Sequence, residues 1–366
     1  MFDRRLLQNI DWVLLLLLLL ITAVSLLNMY SATYPIRDTG GHQIFIKQIY
    51  WFIIGYLLLL SMTTFDYHLL ERMAYPIYFL SVLLLVIVLI KGEEVNNSQA
   101  WLKIGSITFQ PSEFSKIAVV IILSKYFSSQ GAYSEYRLRD LWRPFILVAI
   151  PLILVLKEDL GTASILAIVA LSIILFMKVN WKSLIILFIP VVSSLPLIWL
   201  NLKDYQKSRI LTFLKPETDP LGDGYHIIQS KIAVGSGHLI GKGFLKGTQT
   251  RLHFLPEQHS DFAFSVLAEE WGFAGTFMLI SLYLFLILWG INIAKNSKDM
   301  FGSLLAVGVI SIVFWQLLVN VSMTIGLMPV VGIPLVLLSY GGSSIISIMI
   351  GMGLLMNISM RRFMFQ

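Results

Sequence analysis

The chain has 366 residues, of which 57% are hydrophobic and only 13% are charged. Soluble proteins carry roughly 25% charged residues, so this chain has too few charged side chains to cover a water-exposed globule. The same hydrophobicity excludes intrinsic disorder. Its long apolar runs, such as residues 13–27, differ from the short alternating segments of a membrane β-barrel. The composition predicts an all-α polytopic membrane protein, with one domain over residues 1–366.

Two other features of the composition narrow the interpretation. The chain has no cysteine, which excludes disulfides and thiolate metal sites. Its net charge of +6 fits basic cytoplasmic loops and anionic lipid headgroups better than a nucleic-acid partner. The charged N-terminus is followed by an apolar run too long for a signal peptide, which predicts a retained first span.

Apolar segments of about 20 residues, the length that crosses the hydrocarbon core, predict ten transmembrane helices. The predicted spans are 12–31, 46–64, 73–90, 112–128, 144–157, 162–178, 183–200, 263–293, 300–322 and 334–360. Glycines interrupt the last of them. Lys and Arg concentrate in the short loops on the side of the N-terminus, which predicts that both termini are cytoplasmic. The long segment 201–262, between spans 7 and 8, is then extracytoplasmic.

Ionisable side chains near the membrane are costly, and each marks either a functional group or a structural pair. Asp261 lies where the long loop meets the eighth span. It is either a half-desolvated reactive carboxylate or a helix N-terminal acid favoured by the macrodipole. Glu269 and Glu270 lie about two turns further along the same predicted helix, where they face a cavity or form a structural ion pair.

Three other stretches carry polar residues into predicted spans. In residues 110–116 (Gln-Pro-Ser-Glu-Phe-Ser-Lys), Glu113 and Lys116 are three apart and share one helix face. They form a local pair, or Lys116 points into a cavity that holds an anion. Asp159 follows Glu158 in a turn that is either solvated or part of a site. Residues 339–344 (Ser-Tyr-Gly-Gly-Ser-Ser) indicate broken helix that lines a wet cavity or packs closely through small residues.

Four sequence blocks, in this order, resemble the SEDS family (shape, elongation, division and sporulation). They are residues 110–116, Asp-Leu-Gly-Thr at 159–162, Phe-Leu-Pro-Glu-Gln-His-Ser-Asp-Phe at 254–262 with Leu-Ala-Glu-Glu-Trp-Gly at 267–272, and the run from Asn320 to Ser344. The resemblance covers essentially the whole chain. The Phe-Leu-Pro-Glu opening and the ending Gly-Leu-Leu-Met-Asn-Ile are closer to the rod-shape branch than to the division branch. The family often has Pro where Glu158 stands and Gly where His238 stands.

The resemblance implies a peptidoglycan glycosyltransferase of the bacterial inner membrane. It would polymerise lipid II, a disaccharide-pentapeptide on an undecaprenyl diphosphate, during cell elongation. Its implied partners are a class B penicillin-binding protein, which cross-links the new strand, and the rest of the elongation machinery. Asp261 matches the family's essential aspartate and is our candidate general base for the acceptor hydroxyl.

The departing diphosphate requires positive charge. Lys116 is the first candidate among the side chains, Arg209 is the second, and a divalent cation such as Mg²⁺ or Mn²⁺ is an alternative. Glu113, Asp159 and Glu270 are candidates to orient the lysine or to hold the metal. The sequence has no H-E-x-x-H zinc motif, no P-loop and no G-x-S-x-G elbow.

Three other functions are open on sequence grounds. A lipid II flippase would also need a polar cavity between helices, although charges near the membrane midplane would favour it. The division-branch polymerase shares the chemistry proposed here. A non-catalytic scaffold for cell-wall synthesis would not require Asp261.

Overall fold

A computed structural model describes residues 9–95, 98–105, 107–130, 136, 138–157, 159–177, 179–215, 223–255 and 257–362. These described residues are mostly helical, at 76%. In chain order the helices are α1 (Trp12–Thr33), α2 (Gly41–Thr64), α3 (His68–Arg72), α4 (Ala74–Lys91), α5 (Pro111–Ser129), α6 (Leu138–Leu156), α7 (Leu160–Phe176), α8 (Trp181–Asn201), α9 (Asp204–Leu214), α10 (Asp223–Ser236), α11 (Thr248–Arg251), α12 (Ala263–Lys295), α13 (Met300–Thr324) and α14 (Gly342–Arg361).

A helix lies at each of the ten predicted spans. Among the described residues, six helices are long and apolar enough to cross a membrane, namely α1, α2, α4, α12, α13 and α14. The protein is therefore a multi-pass membrane protein. The count of ten crossings and the cytoplasmic side of both termini stay predictions.

The helices share one apolar core that extends from Leu14 in α1 to Met360 in α14. Helix α14 packs against α2, and α12 packs against α1 and α13. Helix α5 lies among α4, α7 and α13. Most of the span in α14 is buried inside the protein, whereas α4 buries little of its own. Because α14 is enclosed, its N-terminal end is held in the interior and can form the wall of a site.

Three features differ from the sequence predictions. The last span was predicted to begin at 334, but its helix begins at Gly342, and residues 325–341 have no helical backbone. This stretch contains Pro329 and Pro334, which lack the N–H that a continuing helix needs. Leu337 adopts a left-handed φ of 64°. The broken helix that the sequence predicted at residues 339–344 is thus confirmed, but the irregular backbone extends over the whole start of the predicted span.

A small sheet lies between α4 and α5, so the all-α prediction was incomplete. Its strands are β1 (Glu93–Val95), β2 (Ser98–Ile104) and β3 (Ile107–Phe109), all antiparallel in the order β1-β2-β3. Gly105 in the β2–β3 turn has a φ of +65°, which suits a residue without a Cβ atom. The predicted long loop 201–262 also holds secondary structure, since α9, α10 and α11 lie within it.

Helix α12 is broken at Gly272, where φ is 64° and ψ is −159°. The residues before the break cross the end of α1 instead of running along it. Asn28 donates to the carbonyl of Ala263 at 2.8 Å, and Ser31 donates to Glu270 at 2.5 Å. Residues one turn apart in α1 thus reach the start and the end of the short segment 263–271. This crossing places Asp261 beside the end of α1.

Candidate active site

A cavity of about 710 Å³ lies where the N-terminal ends of four helices meet. The helices are α5, α7, α12 and α14, and the cavity wall includes a residue just before each of them. These residues are Gln110, Asp159, Asp261 and Gly341. Because helix N-termini present unpaired N–H groups and a partial positive charge, this arrangement favours a bound anion.

Asp261 is half-buried in the wall of this cavity. Its backbone carbonyl accepts a hydrogen bond from Asn320 Nδ2 at 3.0 Å, and the same amide donates to the carbonyl of Ile333 at 2.7 Å. Asn320 therefore ties the Asp261 segment to the neighbouring irregular segment 325–341. Both backbones are fixed, while the carboxylate of Asp261 faces the cavity.

Burial raises the pKa of Asp261 from 3.8 to about 6. The negative charge of Glu257 raises the pKa further, the Arg209 guanidinium lowers it, and Asp159 raises it slightly. A carboxylate with this pKa is ionised at neutral pH and is still basic enough to take a proton.

Arg209, from α9, shares a patch of the wall with Asp261. A Cβ atom at position 332 would lie 3.5 Å from Asp261 Oδ2 and 3.6 Å from Arg209 Nη1. Gly332 also has a φ of +71°, which favours glycine. Because Gly332 has no side chain, nothing at this position separates the acid and the guanidinium from the cavity.

Asp159 caps α7 at its N-terminus. Its carboxylate accepts from the backbone N–H of Thr162 at 2.9 Å, from the Thr162 hydroxyl at 2.6 Å and from Gln110 Nε2 at 3.1 Å. Burial raises the pKa of Asp159, and the hydrogen bonds from Thr162 oppose this rise. Asp159 thus joins the starts of α5 and α7. The preceding residue, Glu158, lies outside the described residues.

Glu113 and Lys116 form a buried ion pair within α5, at 2.7 Å. Their side chains are only 3% and 1% exposed, respectively. Glu113 lines the cavity and also accepts from Ser347 of α14 at 3.3 Å. Lys116 lies behind Glu113 and is not part of the wall. Arg209 thus lies in the cavity wall and Lys116 does not, and the role of either in binding the diphosphate stays a prediction.

Glu270 lies apart from the cavity wall. It accepts from Ser31 of α1, and its neighbour Glu269 accepts from the loop before α11, including Lys242 Nζ at 2.7 Å. Of the predicted site residues, Asp261, Arg209, Asp159 and Glu113 thus share one cavity. Lys116 forms an ion pair with Glu113, and Glu270 accepts a hydrogen bond from Ser31 of α1.

The structure also adds residues that the sequence analysis did not select. Lys47 of α2, Trp101 of β2 and Glu257 line the cavity. Lys47 lies at the start of the second predicted span, and Trp101 lies in the sheet that was not predicted. Within the described residues, no group of three or more His, Asp or Glu side chains is arranged to hold a metal ion. A divalent cation stays a prediction from the sequence.

Comparisons with known proteins agree with these blocks and their arrangement. The family model FTSW_RODA_SPOVE, described as a cell cycle protein, matches residues 11–363. The chain belongs to the SEDS family. Among relatives of this SEDS chain, the peptidoglycan glycosyltransferase MrdB of Escherichia coli K12 is 39% identical over 97% of this chain and 94% of its own length. The peptidoglycan glycosyltransferase RodA of Treponema pallidum is 33% identical over 97% of this chain and 98% of its own.

Solved structures share the fold of this SEDS chain. One is from a study of how a peptidoglycan synthase complex coordinates polymerization and crosslinking, with a TM-score of 0.82, 30% identity, and coverage of 97% of this chain and 98% of that one. The crystal structure of the rod shape determining protein RodA from Thermus thermophilus has a TM-score of 0.72 and 27% identity, with the same coverage.

Proposed function

We propose that this SEDS chain is a peptidoglycan glycosyltransferase that polymerises lipid II during cell elongation, with Asp261 as its general base. The observation that carries this proposal is the cavity in which Asp261, with a pKa of about 6, lies beside Arg209. The curated relatives with this activity, MrdB and RodA, align over nearly the full length of both chains.

The reaction needs one proton acceptor. The acceptor sugar hydroxyl attacks the anomeric carbon of the donor, the bond from that carbon to the diphosphate oxygen breaks, and the hydroxyl proton passes to Asp261. The lipid diphosphate leaves with the electron pair of the broken bond. Because this leaving group is already good, one carboxylate suffices, whereas glycosidases use two.

The cavity wall carries two basic side chains that can contact the diphosphate, Arg209 and Lys47, although its four carboxylates leave the wall net acidic. Arg209 provides a guanidinium, whose planar fork suits phosphate oxygens. The N-terminal ends of α5, α7, α12 and α14 add oriented N–H groups and partial positive charge. We propose that Glu113 and Asp159 shape this wall, with Lys116 holding Glu113 in place.

We also propose that a class B penicillin-binding protein is the partner. One solved chain that shares this fold comes from a study of how a peptidoglycan synthase complex coordinates polymerization and crosslinking. A polymerase on the extracytoplasmic side would deliver its strand to a transpeptidase on the same side, which agrees with the predicted orientation of the long segment 201–262.

The proposal is tested with purified Asp261→Asn protein and labelled lipid II. We expect the variant to insert and fold but to polymerise about 10²–10⁴-fold more slowly, the usual contribution of a general base. The matched control is Asp38→Asn, which removes an exposed acid outside the cavity wall. Glycan of normal length at the normal rate from Asp261→Asn would exclude the base role. Lipid II translocation in vesicles by a protein that makes no glycan would favour a flippase instead.

A further inference from the structure

A short loop fills the break in α12. We define it as the kink loop, residues 237–247, between α10 and α11. A broken helix leaves backbone N–H and C=O groups unpaired, which is costly at membrane depth. Four backbone hydrogen bonds of 2.8–3.0 Å join the kink loop to both sides of the break. They run from Phe273 N to His238 O, Ala274 N to Leu239 O, Lys242 N to Glu269 O and Gly243 N to Glu270 O.

Side chains hold the kink loop in place as well. The carboxylate of Glu269 is buried and accepts from Lys242 Nζ at 2.7 Å and from the backbone N–H of Gln249 at 3.0 Å. The loop backbone is constrained too, since His238 has a left-handed φ of 47°. The position of the loop against Gly272 is therefore fixed on both flanks of the break.

The tip of this fixed loop is apolar and uncovered. Leu239 is 71% exposed and Ile240 is 84% exposed. Phe273 and Phe277, one turn apart on α12 just past the break, are each 62% exposed. Exposing several large apolar side chains to water is unfavourable, so such a surface is normally covered by lipid or by protein.

The break lies at one boundary of the membrane. Trp289 Nε1 bonds Asp11 at the start of α1, and Ser31 bonds Glu270 near the end of α1. Helix α1 has 22 residues, and at 1.5 Å per residue it is about 33 Å long, one hydrocarbon thickness. Glu270, and with it Gly272, therefore lies at the boundary opposite Asp11.

Other residues around the kink loop are of the types found at lipid–water boundaries. Tyr30 of α1 stacks on Phe244 with ring centroids 6.3 Å apart, and Trp271 contacts Phe244 edge-on at 6.4 Å. Aromatic residues of this kind form belts at the headgroup level. Lys246 is exposed on the same loop, where a cation favours anionic headgroups.

We propose that the kink loop inserts Leu239 and Ile240 into the interfacial layer of the bilayer, with lipid headgroups and upper acyl chains as the partner. The apolar tip continues the lipid-facing surface of α12 at the depth where that surface meets the headgroups. In this position the loop covers the break at Gly272 on the acyl-chain side of the headgroups. It also anchors the segment 263–271, which leads back to the cavity. This inference stands independently of the proposed catalytic role of Asp261.

The chain has no cysteine, so single labelling sites need no other change. We would label Ile240→Cys with an environment-sensitive fluorophore and reconstitute the protein, without any partner, in vesicles of phosphatidylethanolamine and phosphatidylglycerol. We expect quenching by a nitroxide near the headgroup end of the acyl chain to exceed quenching by a deep nitroxide. Iodide quenching is expected to be severalfold weaker than at Asp38→Cys, an exposed site that follows the same end of α1.

Two matched sites complete the experiment. Phe277→Cys lies further along α12 and should respond more to the deep nitroxide, while Leu239→Cys repeats the test at the tip if Ile240→Cys fails to fold. Iodide quenching at both tip sites equal to that at Asp38→Cys, with no nitroxide effect, would overturn the proposal. Protection that arises only after a penicillin-binding protein is added would also overturn it and assign the tip to a protein interface.

Discussion

Two aspartates near opposite ends of the helix bundle have opposite surroundings. Asp11 is buried at the start of α1, where its carboxylate accepts from Leu14 N at 3.1 Å, from Trp289 Nε1 at 2.9 Å and from Ser359 Oγ at 2.6 Å. Asp261 is held by its backbone carbonyl, and its carboxylate lines the cavity. Asp11 ties α1, α12 and α14 together, whereas Asp261 is left available to a ligand.

The comparison separates structural acids from reactive ones. A buried carboxylate with several donors stabilises the fold, because each donor compensates its lost hydration. A carboxylate in a cavity, close to other acids, has a raised pKa and exchanges its proton near neutral pH. Position along the chain does not distinguish the two aspartates, since Asp11 lies one residue before α1 and Asp261 lies two residues before α12.

The largest expected effect is at the buried ion pair. Lys116→Met leaves Glu113 buried without its cation, and we expect the free energy of unfolding to fall by about 3–5 kcal/mol. The measurement is thermal unfolding of the purified protein in detergent. The control is the double variant Glu113→Gln with Lys116→Met, which should recover most of the loss. An unchanged midpoint for Lys116→Met would contradict a structural role for this pair.

Much of the fold follows from the sequence because lipid imposes a simple length rule. Runs of about 20 apolar residues cross the bilayer, so helices lie at all ten predicted segments. The same rule extended the last span to 334, because it weighs hydrophobicity and ignores the missing N–H groups of Pro329 and Pro334. The sheet at 93–109 was missed because its strands are short and lie between two apolar helices.

The site was partly predictable for a different reason. Asp261, Arg209, Asp159 and Glu113 come from four separate segments. Three of them lie in the sequence blocks of the family resemblance, and Arg209 was selected only because the diphosphate needs positive charge. Whether a charged residue faces a cavity or a partner depends on packing, which spacing alone does not give. Glu113 and Lys116 share a helix face, but only one reaches the wall. Lys47 was missed because a lysine near the end of a span is usually a boundary charge.

The next prediction concerns Asp11, the structural acid of the comparison. Asp11→Asn presents an amide N–H₂ to donors that need an acceptor, so we expect the free energy of unfolding to fall by about 1–3 kcal/mol. Polymerisation per folded molecule should stay unchanged, since Asp11 lies at the far end of α12 from the cavity. Thermal unfolding and the lipid II gel assay measure the two quantities on the same sample. Loss of polymerisation without loss of stability would break the comparison.

The last effect is the pH dependence of stability that Asp261 contributes. Its pKa is about 6 in the folded protein against an ordinary value of 3.8, so the folded state binds the proton more tightly than the unfolded chain does. Stability therefore falls as the pH rises through this interval and then levels off. Asp261→Asn mimics the protonated form. We expect it to melt higher than the wild type above pH 6 and to lose this advantage below about pH 4.

Activity should depend on pH in the opposite direction, because the base must be ionised. Below about pH 6 we expect polymerisation by the wild type to fall about tenfold per pH unit. The acid limb of the rate profile should then begin at the pH where the melting difference reaches its plateau, about 6. A melting difference that is constant with pH, or an acid limb far below 6, would show that the cavity leaves Asp261 as well solvated as an ordinary surface carboxylate.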